Sequence, residues 1–434
     1  MDGGTIALDG ETSLGSETAT QPPLLSSPTP TYSSPIHPAA NAVHRCDAAH
    51  AAASSSKGSI GVGAGNYFEL HWQICHGREL QFQLAGHTLC SSDDGRFHPN
   101  LSLNFKTLCP RTSRGNFKCK IDSILRNHLG TAKILKLNVA DEDSDELESL
   151  LLNSLVLEQL RLNVCNKISF LKIPCVLQHL SCLSVMACRR MQVIVCEAPN
   201  LSSISLSGGI KFSLGETLTM KVLSMIRPNV VCYARAQLPS IMPNLESMVL
   251  SSDSEAVNIP MLPTKFLCLK HLTIQIARGT FSPSYDYFFL VSFLHASPSL
   301  ETLYLDVFQE DMRHESIVED SSAHLRQLPE LSHECLKSVE IIGFNSAKSL
   351  VELTCCIVKA AASLERLVLD TLRGGDRCSG ESNGKICWPV SNAVLKESAR
   401  AAIAVRRYIE DKVAPTTTLT LVGTCTRCHS LAFG

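Results

Sequence analysis

A short apolar phrase recurs along most of this chain: leucine, two variable residues, leucine, one variable residue, and then leucine, valine or isoleucine. The clearest copy starts at Leu300 and continues through Leu303 and Leu305. The copies that follow one another at intervals of 21 to 24 residues start at Leu157, Leu180, Leu201, Leu223, Leu245 and Leu269. A front copy uses Leu135, Leu137 and Val139, and later copies begin at Leu336 and Leu364 after wider intervals of 36 and 28 residues. One such unit buries too little apolar surface to offset its loss of chain entropy, so neighbouring units must stack.

A fixed period of this length is typical of leucine-rich repeats, in which every unit contributes one short strand. Strands from successive units pair in parallel, and their alternate leucines form one continuous core. The residues between strands return the chain along the side of the core opposite the sheet. The sequence therefore predicts an α/β fold, a curved leucine-rich-repeat solenoid with parallel strands on the concave face and helices and loops on the convex face.

Composition divides the chain into four regions. Residues 1–66 are rich in Ser, Ala, Pro and Gly without an apolar period, and we predict that they are disordered. Residues 67–130 are irregular, and a short helix at 121–125 is predicted to act as an N-terminal cap. The solenoid is predicted to occupy 131–372, and a C-terminal cap of helix and strand to follow over 373–434.

Several helices and one further strand follow from local patterns. Two helices are predicted on the convex side, one beginning after Ser144 and one over 349–361. Their predicted buried residues are Leu147, Leu150, Leu151, Leu350, Leu353, Ile357 and Ala360. In the C-terminal cap, Ser391 is predicted to begin a helix that runs to Tyr408, and a strand is predicted over 416–422. The apolar residues predicted to face inward there are Val394, Leu395, Ala402, Ile403 and Ile409.

The charge balance argues against two classes of partner. A formal net charge of -2 and a pI near 6.7 leave no basic stripe for a nucleic acid or for an anionic membrane surface. We expect no membrane span and no secretory leader, because the apolar runs are short and the first residues are acidic. The expected location is cytoplasmic, nuclear or both, with the 19 cysteines as free thiols. The oligomeric state stays open.

Motifs that would support catalysis or metal binding are absent or incomplete in this sequence. Cys425, Cys428, Cys378 and Cys387 supply four thiols, but the second pair is nine residues apart, and zinc sites use pairs two to four residues apart. No nucleophile elbow, zinc-protease helix or phosphate-binding loop accompanies the histidines and serines. We therefore predict no enzyme activity, no metal site and no cofactor.

Six stretches resemble the plant family of F-box, leucine-rich-repeat and FBD proteins that is expanded in grasses. They are FHPNL at 97–101, ILRNH at 124–128, PNVVCY at 228–233, and the segments 294–303, 341–353 and 425–429. The resemblance implies that the repeats bind a target protein and that an F-box docks on the adaptor of a cullin ubiquitin ligase. Its place, 46–96, contains no recognisable F-box. Two functions stay open: a substrate-recognition subunit of a ligase, or a stand-alone interaction scaffold.

The variable residues between the strand leucines are the candidate binding residues. Successive side chains of a strand point to opposite faces, so these residues are predicted to line the concave face and to bind an unidentified target protein. They are Lys136, Asn138, Arg161, Asn163, Ser184, Met186, Val249, Thr273, Gln275, Tyr304, Asp306, Glu340, Val368 and Asp370. Early members are basic or amide, and later members are acidic.

Overall fold

A computed structural model of the chain describes residues 100–104, 133–138, 147–148, 151–214, 219–255, 264–276, 285–307, 315–319, 324–372 and 391–424. The predicted disordered region, the cap helix at 121–125 and the cysteines of the incomplete metal motif lie outside these ranges. Ser144 and Leu150 do so as well. The division into four regions therefore stays a prediction.

The described residues form fifteen strands. In chain order they are β1 (Asn100–Asn104), β2 (Ile134–Asn138), β3 (Gln159–Asn163), β4 (Phe170–Ile173), β5 (Cys182–Met186), β6 (Val193–Cys196), β7 (Ser203–Ser207), β8 (Lys211–Leu214), β9 (Val222–Ile226), β10 (Ser247–Ser252), β11 (His271–Ile276), β12 (Thr302–Val307), β13 (Ser338–Ile342), β14 (Arg366–Asp370) and β15 (Thr418–Val422). Twelve of them form one sheet in the order β1-β2-β3-β5-β7-β9-β10-β11-β12-β13-β14-β15, and every neighbouring pair is parallel. This is the predicted solenoid sheet, one strand for each repeat.

Four helices connect or follow the later strands. They are α1 (Val230–Ile241), α2 (Val291–Ala296), α3 (Lys348–Ala360) and α4 (Asn392–Tyr408). Two single turns of 3₁₀ helix cover Tyr287–Leu290 and Glu410–Lys412. Residues 147, 148, 151 and 152 are also helical, with Leu147 and Leu151 buried as predicted.

The repeat leucines lie in register across the large sheet and form its core. Starting at Leu160, the row of paired residues continues through Leu183, Ile204, Leu223, Met248, Leu272, Leu303, Val339 and Leu367. All of these side chains are buried. Each contributes about 1.5–3 kcal/mol of hydrophobic stabilisation only when a neighbouring repeat covers it, which explains why the repeats fold as a stack.

A second, three-stranded sheet was not predicted. Strands β4, β6 and β8 pair in parallel across the core from the large sheet, in the part of the chain where the repeats are shortest. Their inward residues, such as Leu171 and Ile194, belong to the same core. In these short repeats the segment that returns the chain has few residues. An extended segment covers the required distance with fewer residues than a helix, because its rise per residue is larger.

Two cysteines tie consecutive repeats together just after their strands. Cys165 and Cys188 each directly follow a residue with a left-handed backbone, Val164 at φ 58° and Ala187 at φ 55°. The Cys188 thiol lies 3.7 Å from the carbonyl oxygen of Leu162, and its sulfur accepts a hydrogen bond from the backbone N–H of Cys165 at 3.3 Å. These thiols are buried, and they also satisfy loop backbone groups.

The C-terminal predictions are confirmed with one exception. Ser391 caps α4 by accepting a hydrogen bond from the N–H of Val394, and β15 covers most of the predicted strand. Ile403, however, is 48% exposed, so its predicted inward position is wrong. The helix instead buries Glu397 and Ser398, which hydrogen-bond to Ser346 and Thr371, and this rotates Ile403 outward. On the same helix Val394 and Ala402 are half-buried and Leu395 is buried. Ile409, the first residue after the helix, is buried as well.

Candidate binding surface

The side of the large sheet that points away from the core carries three parallel rows of side chains, and we call this side the open face. Each strand contributes its first, third and fifth residue. The first row is Ile134, Gln159, Cys182, Ser203, Val222, Ser247, His271, Thr302, Ser338, Arg366 and Thr418. The second row is Lys136, Arg161, Ser184, Ser205, Ser224, Val249, Thr273, Tyr304, Glu340, Val368 and Thr420. The third row includes Asn163, Met186, Ser207, Ile226, Ser251, Gln275, Asp306, Ile342, Asp370 and Val422.

The residues predicted from the sequence all fall in the second and third rows. Their strand positions place them on one face, as the alternation rule requires. Several are nevertheless largely buried among their neighbours, including Arg161, Ser184, Asp306, Val368 and Asp370. Whether these positions bind a partner stays a prediction.

A groove of about 410 Å³ runs along the first two rows from β3 to β14. Among the predicted residues, those that line it are Arg161, Ser184, Val249, Thr273, Gln275, Tyr304 and Glu340. Those that do not line it are Lys136, Asn163, Met186, Asp306, Val368 and Asp370, and the side chain of Asn138 lies outside the described part of the structure. The groove thus lies nearer to the starts of the strands than the sequence predicted.

The first row is the part of the groove that the sequence reasoning missed. Gln159, Cys182, Ser203, Val222, His271, Thr302, Ser338 and Arg366 line it, together with Ser205 and Ser224 of the second row. Except on β7, β9 and β15, where no residue was predicted, each first-row residue stands two positions before a predicted one and so shares its face. The alternation rule that found the other two rows was therefore sufficient to find this one.

The residue immediately before each strand forms a charged rim that is nearly neutral as a whole. From β9 to β14 these residues alternate in sign: Lys221, Glu246, Lys270, Glu301, Lys337 and Glu365. The Nζ atom of Lys221 lies 3.0 Å from the Oε1 atom of Glu246. Nearer the β2 end of the sheet, the Nζ atom of Lys133 lies 2.8 Å from the Oε1 atom of Glu158. Because opposite charges stand side by side, the rim adds no net field to either end of the groove.

Two cations lie on adjacent strands at the β2–β3 end of the open face. Lys136 is directly opposite Arg161, which is only 2% exposed and donates a hydrogen bond to Gln159 at 3.1 Å. Burial lowers the pKa of the Arg161 guanidinium. The pKa of Lys136 is lowered by burial and by the neighbouring charge of Arg161. Loss of water disfavours the charged form of each side chain, and this is the main reason why both pKa values are lowered.

The opposite end of the open face is acidic. Asp306 on β12 and Asp370 on β14 are buried third-row carboxylates, and Asp370 accepts a hydrogen bond from the N–H of Leu372 at 2.8 Å. Glu340 on β13 forms an ion pair with Arg366 at 3.2 Å. Arg366 therefore pairs with one of these three carboxylates.

The middle of the open face is uncharged and contains two buried hydroxyls without a described partner, one of which, on Ser184, lines the groove. Strands β5, β7, β9, β10 and β11 place no Asp, Glu, Lys or Arg on the open face. Ser184 is 2% exposed, and Ser247 is buried as well. In the part of the chain that the structure describes, the Oγ atoms of both serines have no hydrogen-bond partner. A buried hydroxyl without a partner is costly, and such groups in a groove are typical of sites that a ligand completes.

Two other kinds of feature are absent from the same described ranges. No group of three or more His, Cys, Asp or Glu side chains there could hold a metal ion. No helix in those ranges has the length and apolar character needed to cross a lipid bilayer.

Comparison with known protein families identifies the repeats. A family model described as At1g61320/AtMIF1, LRR domain, matches residues 117–426. The chain belongs to this leucine-rich-repeat family. The match spans the sheet from β2 to β15 and confirms the leucine-rich-repeat part of the resemblance found in the sequence. It carries no information on an F-box or an FBD segment. No curated protein matches the chain.

Proposed function

We propose that this leucine-rich-repeat protein is a protein-interaction module whose open face binds a target protein. The observation that carries the proposal is the groove across the open face, with the buried and unpartnered hydroxyls of Ser184 and Ser247 at or beside its floor. A target that supplies hydrogen-bonding groups would satisfy both hydroxyls. No group in the described part of the chain forms a hydrogen bond with either hydroxyl.

The extent of the groove favours a polypeptide over a small molecule. It crosses nine strands, from β3 to β14. With neighbouring strands about 4.8 Å apart, this corresponds to roughly 38 Å along the sheet, several times the length of a small metabolite. A row of contacts of that length is typical of solenoid proteins, which use their repeated surface to bind extended partners.

The test is to obstruct the groove without disturbing the core. Ser205 and Ser224 lie on the floor at mid-groove and are not fully buried, so Ser205→Arg with Ser224→Arg fills the groove from inside. Ser213→Arg adds the same side chain on β8 of the small sheet and is the matched control. A photoreactive amino acid at Thr273 then reports which proteins bind the open face. We expect the crosslinked target to disappear in the groove variant and to persist in the control.

The outcomes separate binding on the open face from binding elsewhere. If the crosslinked target persists when the groove is filled, the open face is not the binding surface. If no protein crosslinks at Thr273 in the unmodified groove, the proposal fails altogether. Circular dichroism checks that each variant keeps the fold.

For the role of the module we propose that it recognises substrates for a cullin-type ubiquitin ligase, and the alternative is a scaffold that acts without the ligase. The proposal is supported by the sequence resemblance alone and is opposed by the lack of a recognisable F-box in 46–96. Co-expression of the full chain with the ligase adaptor decides between them. A stoichiometric complex in native mass spectrometry supports the ligase role. A folded chain without bound adaptor supports the scaffold.

A further inference from the structure

The last strand of the large sheet, β15, has a neighbour on one side only. It pairs with β14, and no other described strand pairs with it. Leu419 and Leu421 stand in register with Leu367 and Leu369 of β14, yet they are only half-buried, whereas the two leucines of β14 are fully buried. The difference arises because β14 has a repeat on both sides to cover its leucines. The leucine core is therefore partly open to solvent at its β15 end.

The outer edge of β15 also presents backbone groups that can pair with a further strand. The N–H of Thr418 donates to the residue just before β14, and the carbonyl of Val422 accepts from the residue just after β14. The backbone groups of successive strand residues point alternately to the two sides of the strand. Because Thr418 and Val422 point to β14, the N–H and C=O groups of Leu419 and Leu421 point outward.

The sequence of β15 contains none of the usual devices that protect a sheet edge. Natural edge strands are protected by lysine, by proline or by a bulge. Residues 416–422 contain four threonines, two leucines and a valine, with no charge and no proline, and the strand pairs with β14 without a bulge. Threonine and valine favour the extended conformation. An unprotected edge of this composition favours the addition of another strand.

We propose that the outer edge of β15 binds the β15 strand of a second copy of this chain, in an antiparallel pair centred on Thr420. In this register Leu419 of each copy lies opposite Leu421 of the other. Their outward N–H and C=O groups face each other, so each such pair exchanges two hydrogen bonds. Directly opposed side chains share a face, so leucine covers leucine on the core side. Thr420 lies opposite Thr420 of the second copy on the other side of the sheet.

Self-complementarity favours a second copy over any other occupant of this edge. A two-fold dimer requires one surface that fits itself. The register centred on Thr420 meets this requirement for the backbone groups, the leucines and the threonine together. A formal net charge of -2 for each chain gives little repulsion between two copies. The pairing joins the two large sheets and leaves both open faces on the side away from the core, so it does not depend on the proposed binding of a target.

The register can be tested at Thr420, because the pair places this residue opposite itself. Thr420→Lys sets two like charges directly opposite each other in the dimer, whereas the monomer tolerates a lysine at this exposed position. Thr420→Glu does the same with the opposite sign. Thr416→Lys, at an exposed position before the strand, adds the same charge and is the matched control. Sedimentation velocity of the full chain over a concentration series measures self-association, and circular dichroism checks the fold of each variant.

We expect the unmodified chain and the Thr416→Lys control to dimerise alike. Each Thr420 variant alone should raise the Kd of the dimer about tenfold, because opposed like charges repel. An equal mixture of Thr420→Lys and Thr420→Glu chains should regain the dimer, since the opposed charges then attract. Hydrogen exchange in the peptide 416–424 should slow as the concentration of the unmodified chain rises, because pairing protects the outward amides.

An unmodified chain that stays monomeric at every concentration overturns the inference. If its peptide 416–424 is then protected all the same, another part of the chain occupies the edge, and if protection comes only with a bound target, the edge serves the target instead. Dimers that persist in both Thr420 variants form through another surface. Equal weakening by Thr416→Lys and Thr420→Lys would be an effect of net charge and would refute the register. Failure of the mixed variants to dimerise would refute it as well.

Discussion

The buried hydroxyl of Ser184 provides a direct test of the proposed binding surface through stability alone. Replacing Ser184 by alanine removes an oxygen that is 2% exposed and has no hydrogen-bond partner within the described chain. In the unfolded chain this hydroxyl is hydrated, so folding now costs its desolvation. From mutational data that cost is about 1–3 kcal/mol. We therefore expect Ser184→Ala to raise the free energy of unfolding by roughly 1 kcal/mol, the lower end of this range.

Ser346 is the matched control, because it undergoes the same substitution at a site that is equally buried. Its hydroxyl donates to the Glu397 carboxylate at 2.7 Å and lies 2.7 Å from the Ser316 hydroxyl, and the residue is 0% exposed. Ser346→Ala removes a charge-assisted bond and leaves Ser316 with one partner fewer. We expect a loss of roughly 2–3 kcal/mol. The same chemical change should thus act with opposite sign at the two positions.

Urea unfolding followed by circular dichroism measures both effects. The midpoint should rise for Ser184→Ala and fall for Ser346→Ala, with similar slopes, because the area exposed on unfolding barely changes. If Ser184→Ala destabilises the chain, then its hydroxyl has a partner in the folded state. The argument that a ligand completes this part of the groove would then lose its basis.

Three further predictions concern the scaffold. Gly343 has φ +72°, and a Cβ there would collide with the carbonyl of Val307, so Gly343→Ala should lower the urea midpoint far more than Gly208→Ala, where φ is also positive but space is open. Arg326→Ala leaves the fully buried Glu352 without its ion pair at 2.6 Å. We expect a loss of roughly 2 kcal/mol, less than for a fully buried pair because Arg326 is 39% exposed. Burial raises the pKa of Cys232 to about 12, so at pH 8 its thiol is protonated and should resist a thiol-reactive dye. Among the cysteines that the structure describes, the exposed thiols that should react before it are Cys175, Cys268 and Cys335.

Clear results would contradict each of these scaffold predictions. Equal midpoints for the two glycine variants would show that the loop after β13 adapts to a side chain. An unchanged midpoint for Arg326→Ala would mean that Glu352 is satisfied by its remaining backbone contact. Mass spectrometry of the labelled chain locates the dye, and early labelling of Cys232 would mean that helix α1 opens readily.

The repeat strands were predictable because one physical requirement fixes them. Leu160, Leu183 and Ile204 recur at the repeat period since each must cover its neighbour in the stack, and the same rule set the parallel register. The prediction was weaker where a segment has more than one way to bury itself. Strands β4, β6 and β8 are short apolar runs that periodicity alone does not distinguish from loops or short helices.

Errors on α4 have a different origin. The sequence pattern placed Ile403 inward because apolar residues are expected to be buried. In the fold, Glu397 faces Ser346 across the packed loop, and Ser398 faces Thr371 after β14. Those partners lie 51 and 27 residues away in the chain, so no local pattern could reveal them. Buried polar groups with distant partners are the features that a single sequence conceals most effectively.

The same serine also decides whether stability and binding conflict at the open face. If the unpartnered hydroxyl of Ser184 is kept for a ligand, the variant that gains stability must lose affinity, because one hydrogen bond to the bound peptide disappears. A typical bond contributes about 0.5–1.5 kcal/mol, which corresponds to roughly a two- to tenfold weaker Kd for the target protein. Ser346→Ala, far from the groove, should leave the Kd of the folded chain unchanged. A Ser184→Ala chain that is more stable and binds as tightly as before would exclude this hydroxyl from the binding surface, whereas a gain in stability with a loss of affinity is explained only by a group placed for a partner.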